Sequence, residues 1–457
     1  MHCYHQRIVP TTILHDRGKR GNVGRNGASP MSRETNRADL VIVGSGPAAM
    51  AAAVTYSRHV DPSRRILVLD ELTTLGGQIW REGPTNRVAK YWMDGMTLPN
   101  IHRMKGQVLD VLTDRPGVVF QSPEGETQNC LGDDLILATG ARERWIPFPG
   151  WTLPGVVGMG GFQAMLKTGL AIDHKRVVIA GSGPLMYPVG RSVQKANGQL
   201  LFLGEQASIA KLAYFAAHLP AYPEKAIEAV GYFAKLWNVP TRLGTWVQKA
   251  GGDRRLEWVQ LSNGKKSWRL DCDYLATGCH LIPNIDLARL AGCAIDKDRV
   301  QIDPLCQSSR PHLYAIGECT GVGGAERAIA QGIVAGLAAA RQTGLAQHHS
   351  AALPRWERFV QLLDRTFSPR SELLTQIEED TIVCRCEDIP HGRIKPMSCW
   401  REAKLQTRLG MGPCQGKVCG PAANALYGFE PDISRPPLSP LSIQSLLQLY
   451  QSEINES

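Results

Sequence analysis

The sequence predicts an α/β protein made of two doubly wound parallel sheets, the second inserted into the first, followed by a small α-rich domain. The first two observations are two copies of one motif: an apolar run, at residues 39–43 and again at 176–180, is followed by a Gly-Ser-Gly turn. A buried strand, a tight glycine turn and a helix in that order are typical of a nucleotide-binding βαβ unit. The third observation is two cysteine pairs near the C-terminus, which indicate a separate metal-binding or redox unit.

The composition is that of a folded protein of two or three domains. The chain has 457 residues, of which 43% are hydrophobic and 20% are charged. Its net charge is +9, and residues 1–37 hold seven Lys and Arg side chains against two acidic ones, which is more than half of that surplus. We therefore expect a disordered basic tail over residues 1–37 and no nucleic-acid partner.

The sequence indicates neither a membrane span nor an oxidising compartment. No apolar run reaches the roughly 18 residues that a membrane-spanning helix needs. No secretory leader is recognisable, and twelve cysteines in such a chain favour thiols that are kept reduced. We therefore expect a cytoplasmic protein whose clustered cysteines bind metal rather than form disulfides.

The first glycine turn has the surroundings that dinucleotide binding requires. A glycine allows the tight turn, a second lets the backbone approach a pyrophosphate, and a small residue lets helix and strand pack closely. A second apolar strand, residues 65–69, ends at an acid that would bind ribose hydroxyls, the alternative being a solvated acid. The later glycine pair Gly76-Gly77 would let the backbone pack closely against a planar ring of the ligand. The predicted binding residues are Gly44, Gly46, Pro47, Ala48, Ala49, Asp70, Glu71, Gly77 and Gln78.

The second glycine turn is less regular. Met186 stands where a small residue normally lets the helix approach the strand. Gly181, Gly183 and Glu205 are the predicted binding residues, for NAD or another nucleotide. Glu205 would accept ribose hydroxyls and repel a 2′-phosphate, which disfavours NADPH. The alternative is an exposed acid without a ligand.

With these two motifs the chain resembles the two-dinucleotide-binding-domain flavoprotein family, which includes the glutathione and thioredoxin reductases. Two further segments support the resemblance: the turn at Thr139 and Gly140, and a second fingerprint at Gly317 and Glu318, where the family usually has Asp. The resemblance implies that the first Rossmann-like fold holds FAD. The helix at 325–340 carries small residues that are spaced for tight packing, with its positive end toward the flavin, the alternative being an ordinary core helix.

The cysteine pair of the disulfide reductases is missing from both places where those enzymes carry it. The cysteines of the two folds are scattered singly, and isolated cysteines are most often buried as small hydrophobes. Three histidines are likewise isolated, so no catalytic residue is predicted. These side chains are Cys130, Cys272, Cys279, Cys293, Cys306, Cys319, His102, His280 and His312.

Four cysteines of the C-terminal region form the predicted metal site. Four thiolates suit an iron–sulfur cluster, and the interleaved glycines and basic residues supply backbone donors and positive charge. Zinc or a redox disulfide would also use thiols. The spacing within the pairs resembles the bacterioferritin-associated-ferredoxin-like [2Fe-2S] domain, and Cys399 between the pairs is not expected to be a ligand. The predicted ligands are Cys384, Cys386, Cys414 and Cys419.

The two folds together with residues 407–416 resemble the A-type subunit of opine oxidase, hydrogen cyanide synthase and D-hydroxyproline dehydrogenase. The resemblance implies an electron-transfer subunit with FAD and a [2Fe-2S] cluster. Its electrons would come from a smaller flavoprotein dehydrogenase subunit, with a quinone or another carrier as their acceptor. It also allows peripheral association with the inner face of the cytoplasmic membrane through that complex. Two alternatives stay open, a self-sufficient NADH:acceptor oxidoreductase and a non-catalytic redox sensor or scaffold.

The predicted domains follow from these assignments. The stretch from Glu387 to Leu405, between the cysteine pairs, departs from the resemblance, because Pro390 and Pro396 break it and it is shorter than the family's helical spacer. The domains are a discontinuous FAD-binding domain (38–150 and 271–345), an inserted NAD(P)-like domain (151–270), a helical linker (346–377), the [2Fe-2S] domain (378–430) and a C-terminal tail (431–457).

Overall fold

The computed structural model describes residues 36–431 and 435–448. The basic tail expected at 1–37 lies outside this range except for its last two residues, which form a strand instead. The strands are β1 Asn36–Arg37, β2 Leu40–Val43, β3 Ile66–Asp70, β4 Ile101–Lys105, β5 Gln107–Val111, β6 Gly117–Gln121, β7 Thr127–Leu131, β8 Asp134–Leu137, β9 Ala141–Glu143, β10 Val156–Gly158, β11 Arg176–Gly181, β12 Gln199–Glu205, β13 Thr241–Leu243, β14 Trp246–Gly251, β15 Trp258–Ser262, β16 Ser267–Asp271, β17 Tyr274–Thr277, β18 Leu281–Pro283, β19 Ile295–Asp296, β20 Arg299–Val300, β21 Leu313–Ala315, β22 Ile382–Cys384 and β23 Ile389–Pro390.

Helices cover most of the remaining regular structure. Two 3-10 turns, Leu219–Ala221 and Gly317–Thr320, and a helical segment at 443–448 accompany them. The helices are α1 Pro47–His59, α2 Arg87–Gly95, α3 Met159–Lys167, α4 Met186–Lys195, α5 Ile209–His218, α6 Pro223–Leu236, α7 Asp286–Leu290, α8 Ala325–Ala339, α9 Thr343–Ser350, α10 Leu353–Phe367, α11 Ser371–Thr375, α12 His391–Ile394, α13 Trp400–Thr407 and α14 Cys419–Tyr427.

The first sheet is parallel and has the strand order β21-β8-β2-β3-β4. Strands β2 and β8 are buried throughout, which explains their continuous apolar sequences. Leu40 and Ile42 pack in one core with α1 and α8, whereas Val41 and Leu67 pack in another with the mixed sheet β1-β7-β6-β5, in which only β1 runs parallel to its neighbour. This division follows from the two-residue repeat of a strand. The loops at the carboxyl ends of the parallel strands are where such folds bind ligands.

Helices α1 and α8 pack backbone to backbone because glycines line their contact. A Cβ added to Gly332 would lie 2.3 Å from the carbonyl oxygen of Ala48, and one added to Gly336 would lie 2.6 Å from that of Ala52. The tight packing predicted for the helix at 325–340 is confirmed. It places the first turn of α1 against the middle of α8.

The second sheet has the order β10-β17-β11-β12-β13 and is also parallel. Because β17 pairs with β11, the second fold continues to Thr277, beyond the boundary that we expected at residue 270. The reason is that β17 holds the place beside β11 that β8 holds beside β2, so the Ala-Thr-Gly turns after β8 and β17 are equivalent. The chain then returns to the first fold through the antiparallel ribbon β9–β18.

The linker and the C-terminal domain pack against these folds. Helix α10 buries Phe359 and Phe367 in a cluster with α5. Strands β22 and β23 and helices α12, α13 and α14 enclose a small core that contains Trp400. Residues 435–448, expected as a tail, contact the first fold, where the side-chain amide of Gln121 donates to Ser445 Oγ at 2.8 Å. No helix within residues 36–431 and 435–448 is long and apolar enough to cross a membrane.

Candidate functional site

Four loops meet at the carboxyl edge of the first sheet. Gly44 has φ = +104°, and a Cβ there would lie 2.4 Å from the carbonyl oxygen of Ala138, in the turn after β8. The carbonyl of Ser45 accepts a hydrogen bond from the N–H of Gly76 at 3.0 Å, which brings in the loop after β3. A Cβ on Gly317, after β21, would lie 3.0 Å from a side chain in the first turn of α1. The structure thus brings together residues predicted from four separate motifs.

The first glycine turn has room and an unused polar group for a nucleotide. A Cβ at Gly46 would meet nothing within 4 Å, although Gly77 approaches from one side. The hydroxyl of Ser45 is buried and has no hydrogen-bond partner among the described residues. Asp70 accepts the N–H groups of Ser45 at 2.6 Å and Leu72 at 2.7 Å, and it stays partly exposed. This open turn beside a carboxylate fits FAD, with Asp70 where a ribose would lie.

Of the other residues predicted for this site, some are buried and some are exposed. Pro47, Ala48 and Ala49 form the buried first turn of α1, whose N-terminus attracts an anion. Glu71 and Gln78 are exposed. In the chain they directly follow Asp70 and Gly77.

A residue that the sequence analysis missed holds the turn at Thr139 and Gly140. The carbonyl of Asn284 accepts the Thr139 hydroxyl at 2.6 Å, and the Asn284 N–H donates to the Gly140 carbonyl at 3.0 Å. Arg142 donates to Asn284 Oδ1 at 2.9 Å and to Asp286 Oδ2 at 2.8 Å. Thr139 and Asn284 are 145 residues apart in the chain, so no local pattern links them.

Helix α8 supports the second fingerprint loop through two buried polar side chains. Arg327 is 4% exposed and donates to the carbonyls of Gly317 at 3.1 Å and Gly321 at 2.8 Å. Gln331 Oε1 accepts the Gly317 N–H at 2.8 Å. Burial raises the pKa of the adjacent Glu318. The available signal was the spacing of Arg327 and Gln331, four residues apart on the buried face of a predicted helix.

The second glycine turn is hydrogen-bonded to Glu205, the acid at the end of β12. Glu205 is 4% exposed, and its carboxylate accepts the Gly183 N–H, the Ser182 hydroxyl and the Ala207 N–H, each at 2.8 Å. Burial raises the pKa of Glu205. Gly181 and Gly183 are buried, whereas the corresponding glycines of the first fold are partly exposed. Glu205 is therefore not the exposed acid of the alternative interpretation, and its oxygens are occupied by its own chain.

The four C-terminal cysteines line one cavity of about 150 Å³, together with Trp145. The Cys419 thiol hydrogen-bonds Cys384 and Cys414, and Cys414 in turn contacts Cys386. The sulfurs thus form a connected row. Within the described residues no group of three or more His, Cys, Asp or Glu side chains is placed to hold a metal ion. Cys399 is not among the residues that line the cavity.

Hydrogen bonding makes two of these sulfurs acidic. Hydrogen bonds from the Cys419 thiol, together with bonds from backbone N–H groups, lower the pKa of Cys384 to about 6 and that of Cys414 to about 5. Donation to both sulfurs raises the pKa of Cys419, and burial raises that of Cys386. The thiolate is the form that binds metals. Chemically, the set fits a thiolate-ligated group.

The isolated cysteines of the two folds are buried, as predicted. Burial raises the pKa of Cys130, Cys272, Cys279 and Cys306 to about 12. These thiols are therefore protonated at neutral pH and lack the thiolate character of a reactive cysteine.

Comparisons with known proteins agree with this geometry. Residues 38–344 match the family described as pyridine nucleotide-disulphide oxidoreductase. The HcnB subunit of hydrogen cyanide synthase from Pseudomonas protegens is 29% identical, over 83% of this chain and 89% of the relative. The A-type subunit of opine oxidase from Rhizobium meliloti is 28% identical, over 90% of this chain and 87% of the relative.

A solved structure extends the likeness to most of the fold. L-proline dehydrogenase from P. horikoshii has a TM-score of 0.66 at 18% identity, covering 91% of this chain and 81% of that one. The family match covers more than half of the chain, and both parallel sheets and their glycine turns lie within it. The chain is therefore an FAD-dependent oxidoreductase that belongs to the pyridine nucleotide-disulphide oxidoreductase family.

Proposed function

We propose that this chain is the electron-transfer subunit of a heteromeric dehydrogenase that oxidises a carbon–nitrogen bond of an amino acid or opine. A smaller flavoprotein subunit would act on the substrate, and a quinone or another carrier would take the electrons. Two relatives that match most of the chain are named as subunits of hydrogen cyanide synthase and opine oxidase. The observation that carries the proposal is the row of four cysteines in one cavity of a flavoprotein-type chain.

The first fold would hold FAD through residues already in place. The N–H groups and open space at Gly46 suit the pyrophosphate, the unpartnered Ser45 hydroxyl adds a donor, and Asp70 suits the ribose. Glu318 would contact the ribityl chain. Arg327 keeps the Gly317 loop in position for that contact.

The C-terminal domain would hold a [2Fe-2S] cluster through Cys384, Cys386, Cys414 and Cys419. Backbone N–H groups already face two of the sulfurs: those of Gly410 and others at Cys384, and those of Gly416 and Val418 at Cys414. Such donors stabilise anionic sulfur. When bound, FAD supplies two-electron chemistry and the cluster one-electron chemistry, which is a physical reason to house both in one chain.

The two sites are close along the chain. Trp145 lines the cysteine cavity and follows Gly140 of the first fold by five residues. A fully extended segment of that length spans at most about 18 Å. A short covalent path therefore joins the predicted flavin site to the predicted cluster site.

The cluster is tested by chemical and spectroscopic analysis of the full-length chain. We expect iron and acid-labile sulfide in equal amounts, with an electron paramagnetic resonance signal after reduction. Cys414→Ser should lose that signal and keep the flavin, whereas the control Cys399→Ser should keep both. A wild-type protein without iron and sulfide, or a Cys414→Ser variant with an unchanged signal, would contradict the proposal.

The relay role is tested by reconstitution. The purified chain alone should show little dehydrogenation of amino acids or opines in a dye-reduction assay, and addition of the partner subunit should restore turnover. Full turnover by the single chain would overturn the relay role, even if the cluster is present.

A further inference from the structure

The second nucleotide-binding loop is covered by the linker that follows α10. The carbonyl of Ser368 accepts the side-chain N–H of Gln206 at 3.1 Å, and the backbone N–H of Arg370 donates to Gln206 Oε1 at 3.1 Å. The carbonyl oxygen of Phe367 lies 3.4 Å from Ser182 Oγ. The linker thus makes hydrogen bonds at the carboxyl edge of the second sheet, where this fold class binds nucleotides.

Side chains complete the cover. Phe367 is 4% exposed, and its ring is inclined by 28° to that of His280 with centroids 6.4 Å apart. His280 in turn borders the turn, because a Cβ on Gly183 would lie 3.5 Å from His280 Nδ1. The guanidinium of Arg370 lies 3.7 Å from the centroid of the Trp246 ring. An aromatic and a cationic side chain of the linker therefore close the loop from two directions.

The cavity beside this turn is too small for a nucleotide. The cavity beside Gly181, Gln206, Thr277 and Leu373 has a volume of about 20 Å³, which is room for about one water molecule. Small-molecule sites measure roughly 300 Å³ or more. The first fold offers an internal comparison, because a Cβ on the corresponding Gly46 would meet nothing within 4 Å.

We propose that residues 367–370 are a built-in occupant of the second nucleotide-binding loop, which closes it to pyridine nucleotides. Electrons then enter the chain by a route other than NADH. The segment continues into α11 and on to the four-cysteine domain, so opening the loop requires the linker to move. This inference does not depend on the proposed electron relay, since it concerns only what the second fold can bind.

The test uses the full-length chain with its flavin, titrated calorimetrically with NADH, and hydrogen exchange at residues 181–183 and 205–207. The variants are Arg370→Ala and the double variant Phe367→Ala with Arg370→Ala. Arg365→Ala is the matched control, because Arg365 lies on α10 two residues before Phe367 and its guanidinium stacks on Tyr214 instead of contacting the second turn. Wild type and Arg365→Ala should show no saturable NADH binding and slow exchange at the loop.

Arg370→Ala should speed loop exchange by about tenfold, since it removes the guanidinium that donates to the carbonyls of Gln206 and Gly244, each at 3.4 Å. The double variant should gain saturable NADH binding. Micromolar binding of NADH to wild type would overturn the proposal. So would loop exchange in Arg370→Ala equal to that of wild type, a result that remains decisive if the double variant fails to fold. A folded double variant with a loosened loop that still rejects NADH would show that another feature excludes the nucleotide.

Discussion

Gly44 and Gly46, two glycines of the first turn, are required for different physical reasons. Gly44 needs its left-handed backbone, with φ = +104°, and a close approach to Ala138. Gly46 has φ = −74°, which any residue can adopt, and an open space where its side chain would be. Gly44 is therefore required by the backbone conformation of the turn, whereas the open space at Gly46 is where we propose that the ligand binds.

Gly46→Val should give a folded protein that has lost most of its flavin. The new side chain would fill the space meant for the pyrophosphate, so we expect FAD affinity to fall by at least about tenfold. The measurement is the visible absorbance of the purified protein, with thermal unfolding as a check of the fold. Gly44→Ala is the contrast, and it should destabilise the protein by about 1–3 kcal/mol. A Gly46→Val protein with full flavin content would refute this assignment.

Glu143 offers a pH-dependent test at a single residue. Its carboxylate accepts the N–H groups of Gly160 at 2.7 Å and Gly161 at 3.2 Å at the start of α3. Burial raises the pKa of Glu143 above its ordinary value of 4.5. The folded state therefore holds a proton that the unfolded state has already released, and stability falls as the pH rises from about 4.5 through the raised pKa.

Glu143→Gln should remove that pH dependence. The free energy of unfolding of wild type should decrease relative to the variant as the pH rises from 4.5, by about 1.4 kcal/mol for each unit of pKa shift. Urea unfolding at several pH values measures it. Parallel pH profiles for the two proteins would show that the Glu143 proton is not linked to folding.

At the scale of elements, local sequence patterns predicted the main strands, turns and helices of the two folds. The strands and glycine turns of both folds and the small-residue face of α8 depend on residues close together in the chain. The boundary of the second fold differed from expectation, because the place of β17 depends on pairing with β11, which lies about a hundred residues earlier. The spacer between the cysteine pairs forms the two short helices α12 and α13.

Gly332→Ala should destabilise the contact between α1 and α8. Alanine is the better helix former by about 1 kcal/mol, but its Cβ would lie 2.3 Å from the Ala48 carbonyl oxygen. We expect a net loss of about 1–3 kcal/mol in urea unfolding. Gly231→Ala in α6 is the matched control, since a Cβ there meets nothing within 4 Å. It should be neutral or stabilising by up to about 1 kcal/mol, and equal losses for both variants would contradict the packing argument.

At the scale of the whole molecule, Trp151 joins the second fold to the four-cysteine domain. Its indole N–H donates to the carbonyl of Ile382 at 2.6 Å, and its ring lies 5.2 Å from that of Trp145. Trp151 is 2% exposed and belongs to the core of the second fold. The cysteine cavity is thus bordered by a residue whose position depends on another domain.

Trp151→Phe should loosen this contact. The loss of one partly buried hydrogen bond, together with the smaller ring in a buried position, should cost about 1–3 kcal/mol. Hydrogen exchange at residues 382–384 should become faster, and mass spectrometry can measure it. Trp237→Phe is the control, because Trp237 is 84% exposed and should change stability by less than about 0.5 kcal/mol. If exchange at residues 382–384 is unchanged in Trp151→Phe, this contact does not contribute to the stability of the four-cysteine domain.

The sequence by itself determined the α/β class, the two nucleotide-type folds, the kinship with flavoprotein oxidoreductases and the burial of the isolated cysteines. Each depends on local periodicity, on a glycine turn or on composition, which act over a few residues. Only the tertiary structure decided that Asn284 and Arg327 hold the first site, that Glu205 is enclosed, and that residues 367–370 cover the second turn. These features depend on contacts between residues far apart in the chain, whose partners are chosen by the packing of whole elements.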